Sequence, residues 1–351
     1  MRIAIVSPPF IATPPSRYGG TELFVATLAR ELHACGHAVT VYTNGESRLP
    51  CEIRWRYRDA EWPLTDATRA HLKNADHTAW AIRDASATAD VIHLNDIVGV
   101  PFTRFIDIPV VLTIHHPHEP PLSEQYSRYP EIDYVAIAGW LAAREPMPKV
   151  HVVRHGISLD DYAPSVEKDD YVAFLGRMAP CKAPHLAIAA ARAAGVSLKL
   201  AGEVQPAFAE YWTTQVEPEI DGAQIEFVGD VDLEAKCRIL SRARALLFPI
   251  EWEEPFGLVM IEAMACGTPV LAFRGGAVDE IVIDGVNGWA CRDVADMAER
   301  IRTIDVAPET CREFVRARFG AGRMADEYVR VYESAIGAHR LAGASRHDHV
   351  A

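Results

Sequence analysis

Short apolar runs that alternate with helical patterns constrain the fold of this 351-residue sequence most strongly. The runs are rich in Val and Ile and do not alternate with polar residues, which is typical of parallel strands buried on both faces. One series predicts strands at 1–7, 38–43, 90–94, 109–114, 134–138 and 150–153. A second series, which begins near Asp170, predicts strands at 171–175, 198–201, 225–228, 245–249 and 269–273.

Two such series predict an α/β protein with two open sheets, each covered by helices on both sides. We expect a first domain over 1–157, a linker over 158–169 and a second domain over 170–325. The linker is placed there because the polar stretch around Pro164 has no sustained hydrophobic period. A C-terminal helix over 326–345 is a candidate to pack back on the first domain. Ligands of open α/β sheets bind at the carboxyl ends of the strands, so we expect the site in a shared cleft.

Composition narrows the class of protein. Asp and Glu outnumber Lys and Arg by 48 to 35, and the net charge of -13 argues against nucleic acid as the main partner. No run of 18 apolar residues predicts a membrane span, and the N-terminus lacks signal-peptide features. The seven cysteines are widely spaced without a C-x-x-C pair, which fits reduced thiols. We therefore expect a cytoplasmic enzyme, with a peripheral membrane contact left open.

The segment 251–267, EWEEPFGLVMIEAMACG, is the strongest local signal. It predicts a loop followed by a helix from about Phe256 to Ala265, with Gly267 as its cap and Pro269 as its stop. The first turn of a helix has unpaired N–H groups and the positive end of the helix dipole. A polar or anionic ligand can therefore bind at this turn.

Two carboxylates flank that turn. The amides near Phe256, Gly257 and Leu258 would face the ligand, with Glu254 before the helix and Glu262 inside it. A carboxylate on each side can accept hydrogen bonds from hydroxyl groups, which suits a sugar and a ribose. For an isolated pair, solvated acids at a helix start are the more common arrangement.

The string EPFGLVMIEAMACGTPV resembles the E-x7-E signature of the retaining, GT-B-fold glycosyltransferases of family 4, or glycosyl transferases group 1. Other segments are similar to parts of the same family, in the same order along nearly the whole chain: PPFIATPPSRYGGTE at 8–22, the linker start at 155–157, GRMAPCK at 176–182 and AVDEIVIDGVNG at 277–288. A closer similarity is to the avilamycin-type branch. The resemblance implies a GT-B architecture, with two Rossmann-like domains facing a central cleft.

The basic pair has a physical rationale of its own. Arg177 and Lys182 follow the strand expected at 171–175 and so lie at the carboxyl edge of the sheet. Breaking the bond of a nucleotide sugar places negative charge on the diphosphate, and two fixed cations stabilise that charge without a metal. Most lysines and arginines are simply exposed. The family has Gly after this lysine, whereas this chain has Ala183, which puts the fine geometry of the loop in question.

The resemblance also assigns binding roles. It implies that Gly19 and Gly20 contact the donor diphosphate, that His115 donates or accepts a hydrogen bond at the donor sugar, and that Glu280 lines the ribose pocket. The remaining donor-binding candidates follow predicted strands of the second domain and are expected to face the nucleotide: Gly202, Glu203, Val228 and Asp230. Glu254 is assigned to sugar hydroxyls and Glu262 to the ribose.

A histidine-rich stretch at 115–119 raises the alternative of a metal site. His115, His116, His118 and Glu119 have ligating side chains, but Pro117 interrupts any helix and adjacent residues point apart. We therefore predict no metal site. His93, inside an apolar strand, is expected to be a satisfied core residue.

These observations predict a retaining, metal-independent glycosyltransferase of the hexosyltransferase class that uses front-face attack. No cofactor is expected beyond a nucleoside diphosphate sugar as donor, and the acceptor is a carbohydrate, a lipid-linked sugar or a small metabolite. The alternatives are a GT-B-fold sugar-nucleotide epimerase and a non-catalytic nucleotide-sugar binding protein. Acceptor contacts are expected in the loops at 11–17, 54–66 and 116–128. Arg54, Arg56 and Arg58 form either a solvated edge or a contact for an anionic acceptor or membrane.

Overall fold

The computed structural model describes residues 1–347 and divides into two units, each built on one parallel sheet. Among these residues the first unit comprises 1–15, 19–156 and 321–347, and the second comprises 16–18 and 157–320. The predicted α/β class with two parallel sheets is confirmed. In the described chain no helix is both long and apolar enough to cross a membrane.

The first unit has a seven-stranded sheet with the order β3-β2-β1-β4-β5-β6-β7. Its strands are β1 (Arg2–Val6), β2 (Ala38–Thr43), β3 (Glu52–Trp55), β4 (Val91–Leu94), β5 (Val110–Ile114), β6 (Asp133–Ala136) and β7 (Val150–Val152). Four helices connect them: α1 (Gly20–Ala34), α2 (Ala67–Ser86), α3 (Pro120–Ser127) and α4 (Gly139–Ala142). Strands β4 and β5 are buried along their whole length, as continuous apolar runs predict.

The second unit has a six-stranded parallel sheet with the order β10-β9-β8-β11-β12-β13. Its strands are β8 (Tyr171–Leu175), β9 (Ser197–Ala201), β10 (Ile225–Gly229), β11 (Leu246–Phe248), β12 (Val270–Phe273) and β13 (Gly288–Cys291). Its helices are α5 (Pro184–Ala194), α6 (Ala209–Tyr211), α7 (Leu233–Arg242), α8 (Leu258–Ala265), α9 (Val278–Ile281), α10 (Val294–Thr303) and α11 (Pro308–Arg318). The strand order reverses between β8 and β11, which is where such sheets bind ligands.

The last helix, α12 (Ala321–His347), returns the chain to the first unit. Its buried residues Met324, Tyr328 and Tyr332 join the core that α1 forms with the first sheet. The helix begins at Ala321 and so includes the residues predicted at 326–345. Its contacts with the first unit therefore start earlier in the chain than the sequence pattern suggests.

The segment expected as a linker, 158–169, belongs to the second unit instead of forming a free connector. Arg312 of α11 donates to the carbonyl of Leu159 at 3.0 Å, and Lys168 donates to the carbonyl of Ser241 at 2.8 Å. These charge-assisted bonds hold the polar segment against the unit, although it has no regular hydrophobic period. The chain crosses between the units at residues 156–157 and 320–321, and the short segment 16–18 is also grouped with the second unit.

Candidate functional site

The point at which the strand order of the second sheet reverses brings two predicted site residues together. Lys182 follows β8 in a short 3-10 turn, and Glu254 lies in the loop after β11. Because β8 and β11 are neighbouring parallel strands, both loops leave the same edge of the sheet. Two residues 72 positions apart in sequence therefore meet.

The contact between them is a buried ion pair. Lys182 Nζ lies 2.5 Å from Glu254 Oε2, and the two side chains are 15% and 7% exposed. Trp252 donates from its indole Nε1 to the same carboxylate oxygen at 2.7 Å. The Lys182 ammonium group also lies 4.7 Å from the centroid of the Trp252 ring, within cation–π range. Trp252 thus fixes both charged groups, although it is not among the site residues predicted from the sequence.

Close backbone packing fixes the loop that carries Glu254. A Cβ atom at Gly276, which follows β12, would lie only 2.1 Å from the Glu254 carbonyl oxygen. The Ala277 N–H donates to that carbonyl at 2.9 Å. Only glycine permits this approach, and its positive φ of 59° is one that glycine adopts readily. The glycine pair after β12 therefore positions the carboxylate.

The helix predicted from Phe256 begins two residues later, at Leu258. Gly257 occupies its N-cap in the left-handed region, with φ 85°, which ends the loop and turns the chain into the helix. The side chain of Phe256 is 2% exposed and packs edge-on against Phe319 at 5.8 Å. Its predicted contact with a ligand is thus limited to its backbone, while Gly257 and Leu258 flank the helix start as expected.

Glu262, predicted to bind ribose, is buried in α8 and engaged by two side chains. Tyr162 donates its hydroxyl to Glu262 Oε1 at 2.9 Å, and Lys236 of α7 lies 2.6 Å from the same oxygen. Neither partner is among the residues predicted from the sequence, because neither lies near the motif in the chain. Glu262 therefore also ties the segment around Tyr162 to α7 and α8.

The loop after β8 also carries Arg177. None of the carboxylates in residues 1–347 forms an ion pair with Arg177, so its charge is available to an anion. The neighbouring strand end fixes the loop, because a Cβ at Gly202 would lie 1.9 Å from the Gly176 carbonyl oxygen. The Met178 N–H donates to the Glu203 carbonyl at 2.9 Å. Gly202 and Glu203 thus support the loop that contains Arg177 through their backbones.

Three further candidates lie at other strand ends of this unit. Val228 is in β10, and Asp230 follows it directly. Burial, reinforced by the charge of Glu203, raises the pKa of Asp230 above its ordinary value. Glu280 is half-buried in α9, after the glycine pair. All three lie beyond or at the carboxyl ends of parallel strands, and contact with a nucleotide stays a prediction.

In the first unit, Gly19 and Gly20 form the start of α1. Gly19 is the N-cap with φ 146°, and a Cβ there would lie 2.8 Å from the Pro15 side chain. Glu22, in the first turn, is 6% exposed, and burial raises its pKa to about 7. The two glycines thus form a tight turn at a helix N-terminus, and their contact with a diphosphate stays a prediction.

His115 follows β5 as expected and contacts other polar groups of the first unit. Its Nε2 lies 2.9 Å from Asn95 Oδ1, and its ring stacks on His155 at 5.6 Å. Burial, with a smaller contribution from His116, lowers the pKa of His115 to about 3. The imidazole is therefore neutral at pH 7 and suited to hydrogen bonding. Asn95 after β4 was not identified from sequence.

The other histidines have defined partners. His93 bonds to Tyr332 Oη and Thr113 Oγ1, each at 2.7 Å, which confirms the prediction of a satisfied core residue. His116 bonds to Tyr126 Oη at 2.8 Å, whereas His118 bonds to Glu145 at 3.0 Å. Within residues 1–347 no group of three or more His, Cys, Asp or Glu side chains has the arrangement of a metal site.

Two of the three arginines considered at 54–58 form ion pairs with helix α2. Arg54 on β3 forms an ion pair with Asp84, and Arg56 lies 2.5 Å from Asp76. Both carboxylates come from the helix that covers this face. Strand β3 is not among the strands predicted from the sequence, and the pairing favours the edge interpretation over an acceptor contact for these two residues.

Comparison with known proteins is consistent with this geometry. Residues 18–161 match the model described as Glycosyltransferase Family 4, and residues 160–318 match Glycosyl transferases group 1. The glycogen synthase of Mycobacterium tuberculosis is 26% identical, over 93% of this chain and 91% of that protein.

Solved structures share the fold. AviGT4, a glycosyltransferase involved in avilamycin A biosynthesis, is 22% identical with a TM-score of 0.73, over 96% of this chain and 98% of its own. Anabaena HepE, solved in complex with UDP and glucose, is 18% identical with a TM-score of 0.75, over 95% and 100%. At these identities the likeness shows the fold alone, which is the GT-B arrangement of two Rossmann-like domains.

Proposed function

The chain belongs to the GT-B-fold glycosyltransferases of group 1 and family 4, and from this premise we propose that its second unit binds a nucleoside diphosphate sugar for retaining transfer to an acceptor hydroxyl. The observation that carries the proposal is the Lys182–Glu254 pair at the reversal of the strand order. Arg177 lies in the loop that follows β8, the same loop that leads to Lys182. A cation pair and a carboxylate at this position suit a diphosphate and the hydroxyls of a sugar.

The hydrogen-bond donors and positive charges of Lys182 and Arg177 support the binding of a diphosphate at these residues. An ammonium group has three N–H donors, so the bond from Lys182 to Glu254 leaves two for phosphate oxygens. Arg177 adds a guanidinium group that binds phosphate through two parallel hydrogen bonds. In a chain with a net charge of -13, an anion requires such local cations. The amides at the start of α8, at Gly257 and Leu258, add a positive dipole end.

We propose front-face attack as the reaction step. The bond between the anomeric carbon and the diphosphate oxygen breaks, and a bond to the acceptor oxygen forms on the same face. The acceptor proton passes to the departing diphosphate, whose charge Arg177 and Lys182 stabilise. Glu254 is held by Lys182 and Trp252, which suits binding of sugar hydroxyls better than nucleophilic attack. In this scheme the two cations stabilise the leaving group, so that no metal ion is required for that step.

Several finer assignments belong to the same proposal. Glu262 binds the ribose, Glu280 lines its pocket, and Gly202, Glu203, Val228 and Asp230 face the nucleotide. The first unit supplies the acceptor site and, through Gly19, Gly20 and His115, contacts to the donor. HepE was solved with UDP and glucose, so UDP-glucose is the first donor to test. Membership of the avilamycin-type branch and a cytoplasmic location are also part of this proposal.

A donor panel tests the proposal. UDP-, GDP-, ADP- and TDP-sugars are screened by thermal shift, because a ligand that binds the folded state raises Tm. Nucleotide release is then measured with and without an acceptor alcohol, in buffer with and without EDTA, and the product anomer is assigned by NMR. Lys182→Ala is compared with Lys199→Ala, which removes a lysine that pairs with Glu226 on the same sheet.

The outcomes separate the alternatives. We expect one donor class to raise Tm, release to require the alcohol and persist in EDTA, and the product to keep the anomeric configuration. A flat thermal response to every donor would overturn the donor site. Conversion of the donor sugar without an alcohol would identify an epimerase, and binding without any turnover would identify a non-catalytic protein. Inversion at the anomeric carbon would exclude front-face attack.

A further inference from the structure

The described lining of a groove on the first unit contains none of the donor-site residues named above, and its Trp55 falls within the segment 54–66 where acceptor contacts are expected. The groove has a volume of about 440 Å³ and lies beside β3, which is the edge strand of the first sheet. Ile53 and Trp55 of β3 line the groove, together with Leu49 and Pro50 of the preceding loop. Arg30 of α1 lines it from the helix that covers this face.

The sheet geometry explains why the groove exists. Successive residues of a strand point to opposite faces, so Ile53 and Trp55 share one face and Arg54 has the other. Arg54 pairs with Asp84 of α2, which places that helix on the opposite face from the groove. Because β3 is the edge strand of the sheet, none of the strands that the structure describes covers its outer side. The groove is therefore open along that edge.

The charge of the groove is opposite to that of the chain. Arg30 and Arg48 line it, and among the residues that the structure describes its lining contains neither Asp nor Glu, although the chain as a whole carries a net charge of -13. Arg48 donates to the carbonyls of Gly45 and Ser47, at 3.1 and 2.6 Å, which positions the guanidinium group without neutralising it. In the described part of the chain the Arg30 side chain forms neither a hydrogen bond nor an ion pair. Two uncompensated guanidinium groups favour an anionic ligand.

An aromatic side chain accompanies these cations. Trp55 is 49% exposed, which is unusual for so large an apolar surface, and it forms one side of the groove. A tryptophan face packs well against the C–H face of a pyranose ring, whereas its N–H remains free to bond. The groove volume falls within the range of about 300–1,000 Å³ that is typical of small-molecule sites.

We infer that this groove binds a sugar that carries a phosphate or carboxylate group, with the ring against Trp55 and the anion between Arg30 and Arg48. The site is not the start of α1, where the donor contact is predicted. Arg30 lies ten residues after Gly20 on the same helix, which is about 15 Å at 1.5 Å per residue. The ligand is thus an acidic saccharide held away from the predicted Gly19 turn.

Isothermal titration calorimetry tests the inference with glucose 6-phosphate, glucuronate and glucose as probes, on the full chain without nucleotide. We expect both acidic sugars to bind and glucose to bind at least tenfold more weakly. Raising NaCl should weaken the acidic sugars selectively, because salt screens exposed charges. Arg30→Ala and Trp55→Ala should each weaken binding by about tenfold, as expected when one charged or aromatic contact is lost.

Matched variants separate this site from the donor site and from misfolding. Arg83→Ala removes an exposed arginine of α2 outside the groove and should leave binding unchanged, with all variants checked by circular dichroism. Lys182→Ala should also retain binding, so a failed donor site does not mimic a failed groove. Equal affinity for glucose, undiminished binding in Arg30→Ala/Arg48→Ala, or no binding of either acidic sugar would overturn the inference. Binding only to anionic phospholipid vesicles would overturn it in favour of a membrane contact.

Discussion

Lys182 Nζ and Glu254 Oε2 lie 2.5 Å apart, and this bond joins the loops that leave two neighbouring strands, β8 and β11. Both side chains are largely buried, so neither charge is fully solvated in the other's absence. A buried pair of this kind stabilises little relative to apolar residues, but losing one partner leaves a costly charge. The pair therefore couples the geometry of the proposed donor site to the stability of the second unit.

Replacing Lys182 should affect both activity and folding. For Lys182→Ala we expect kcat to fall by a hundredfold or more, because a cation that stabilises the leaving group is lost. Donor KM should change by less than tenfold. The free energy of unfolding should fall by about 3 kcal/mol, because the buried Glu254 carboxylate loses its cation and, among the described residues, keeps the Trp252 hydrogen bond alone. Steady-state kinetics and urea denaturation measure the two effects.

The companion variants distinguish charge from packing. Lys182→Met/Glu254→Gln should recover much of the lost stability, since no buried charge remains unpaired, but it should not recover kcat. Lys199→Ala, whose side chain is 36% exposed, should leave both quantities near those of the wild type. An unchanged kcat in Lys182→Ala, with a verified donor, would refute the charge-stabilising role.

A structural feature can be predicted from the sequence when the interactions that form it are local in the chain. Continuous apolar runs such as 171–175 predict buried parallel strands because burial on both faces leaves a local signature. Strand β13 was missed because it is short and starts with Gly288, and the polar stretch near Tyr162 was interpreted as a linker. Arg312 attaches that stretch to the second unit by donating to the Tyr162 carbonyl, and Lys236 pairs with Glu262. Each of these residues lies far from its partner in the sequence. Such contacts have no local periodicity.

Ala183 offers a test of backbone strain where the chain departs from the family. It is the N-cap of α5 and has φ 51°, a left-handed conformation that costs alanine about 1–2 kcal/mol. Ala183→Gly relieves that strain but loses about 1 kcal/mol through unfolded-chain entropy and about 0.8 kcal/mol of methyl burial. We therefore expect a change in the free energy of unfolding near zero.

The matched control is Ala187→Gly, in the same helix. Both alanines are fully buried, but Ala187 is in the helix interior, where glycine costs about 1 kcal/mol in addition to the lost methyl. This variant should be destabilised by about 2 kcal/mol in urea denaturation. Equal losses for the two variants would show that Ala183 is not strained.

Glu22 should make stability depend on pH in a direction unusual for a carboxylate. Burial raises its folded-state pKa from 4.5 to about 7, so the folded chain holds the proton more tightly than the unfolded chain does. The contribution of Glu22 to the free energy of unfolding is complete below about pH 4.5 and is lost as the pH rises to about 7. Above that pH the free energy of unfolding no longer changes through this group. The change amounts to about 3 kcal/mol.

Comparing variants across pH isolates that contribution. Glu22→Gln cannot ionise, so relative to wild type it should gain about 3 kcal/mol between pH 5 and pH 8 in chemical denaturation. Glu46→Gln, which alters an exposed side chain of the same unit, should follow the wild-type curve. Parallel curves for wild type and Glu22→Gln would show that Glu22 titrates in its ordinary range.

Tyr332 should anchor the C-terminal helix α12 through a buried histidine. Its hydroxyl lies 2.7 Å from His93 Nδ1, and the other ring nitrogen bonds to Thr113 Oγ1. Burial lowers the pKa of His93 to about 3, so the ring is neutral and needs a partner for each nitrogen. Tyr332→Phe leaves Nδ1 without one and should cost about 1–3 kcal/mol, with faster amide exchange along α12.

Tyr328→Phe is the control for that anchor, because it removes a hydroxyl one turn earlier on the same helix. The Tyr328 hydroxyl bonds to Thr113 Oγ1 at 2.8 Å, and that oxygen keeps its bond to His93 when Tyr328 is changed. No buried nitrogen is left unsatisfied, so the loss should be about 1 kcal/mol and smaller than that of Tyr332→Phe. If hydrogen exchange and urea denaturation gave the reverse order, His93 would not be what ties α12 to the first sheet.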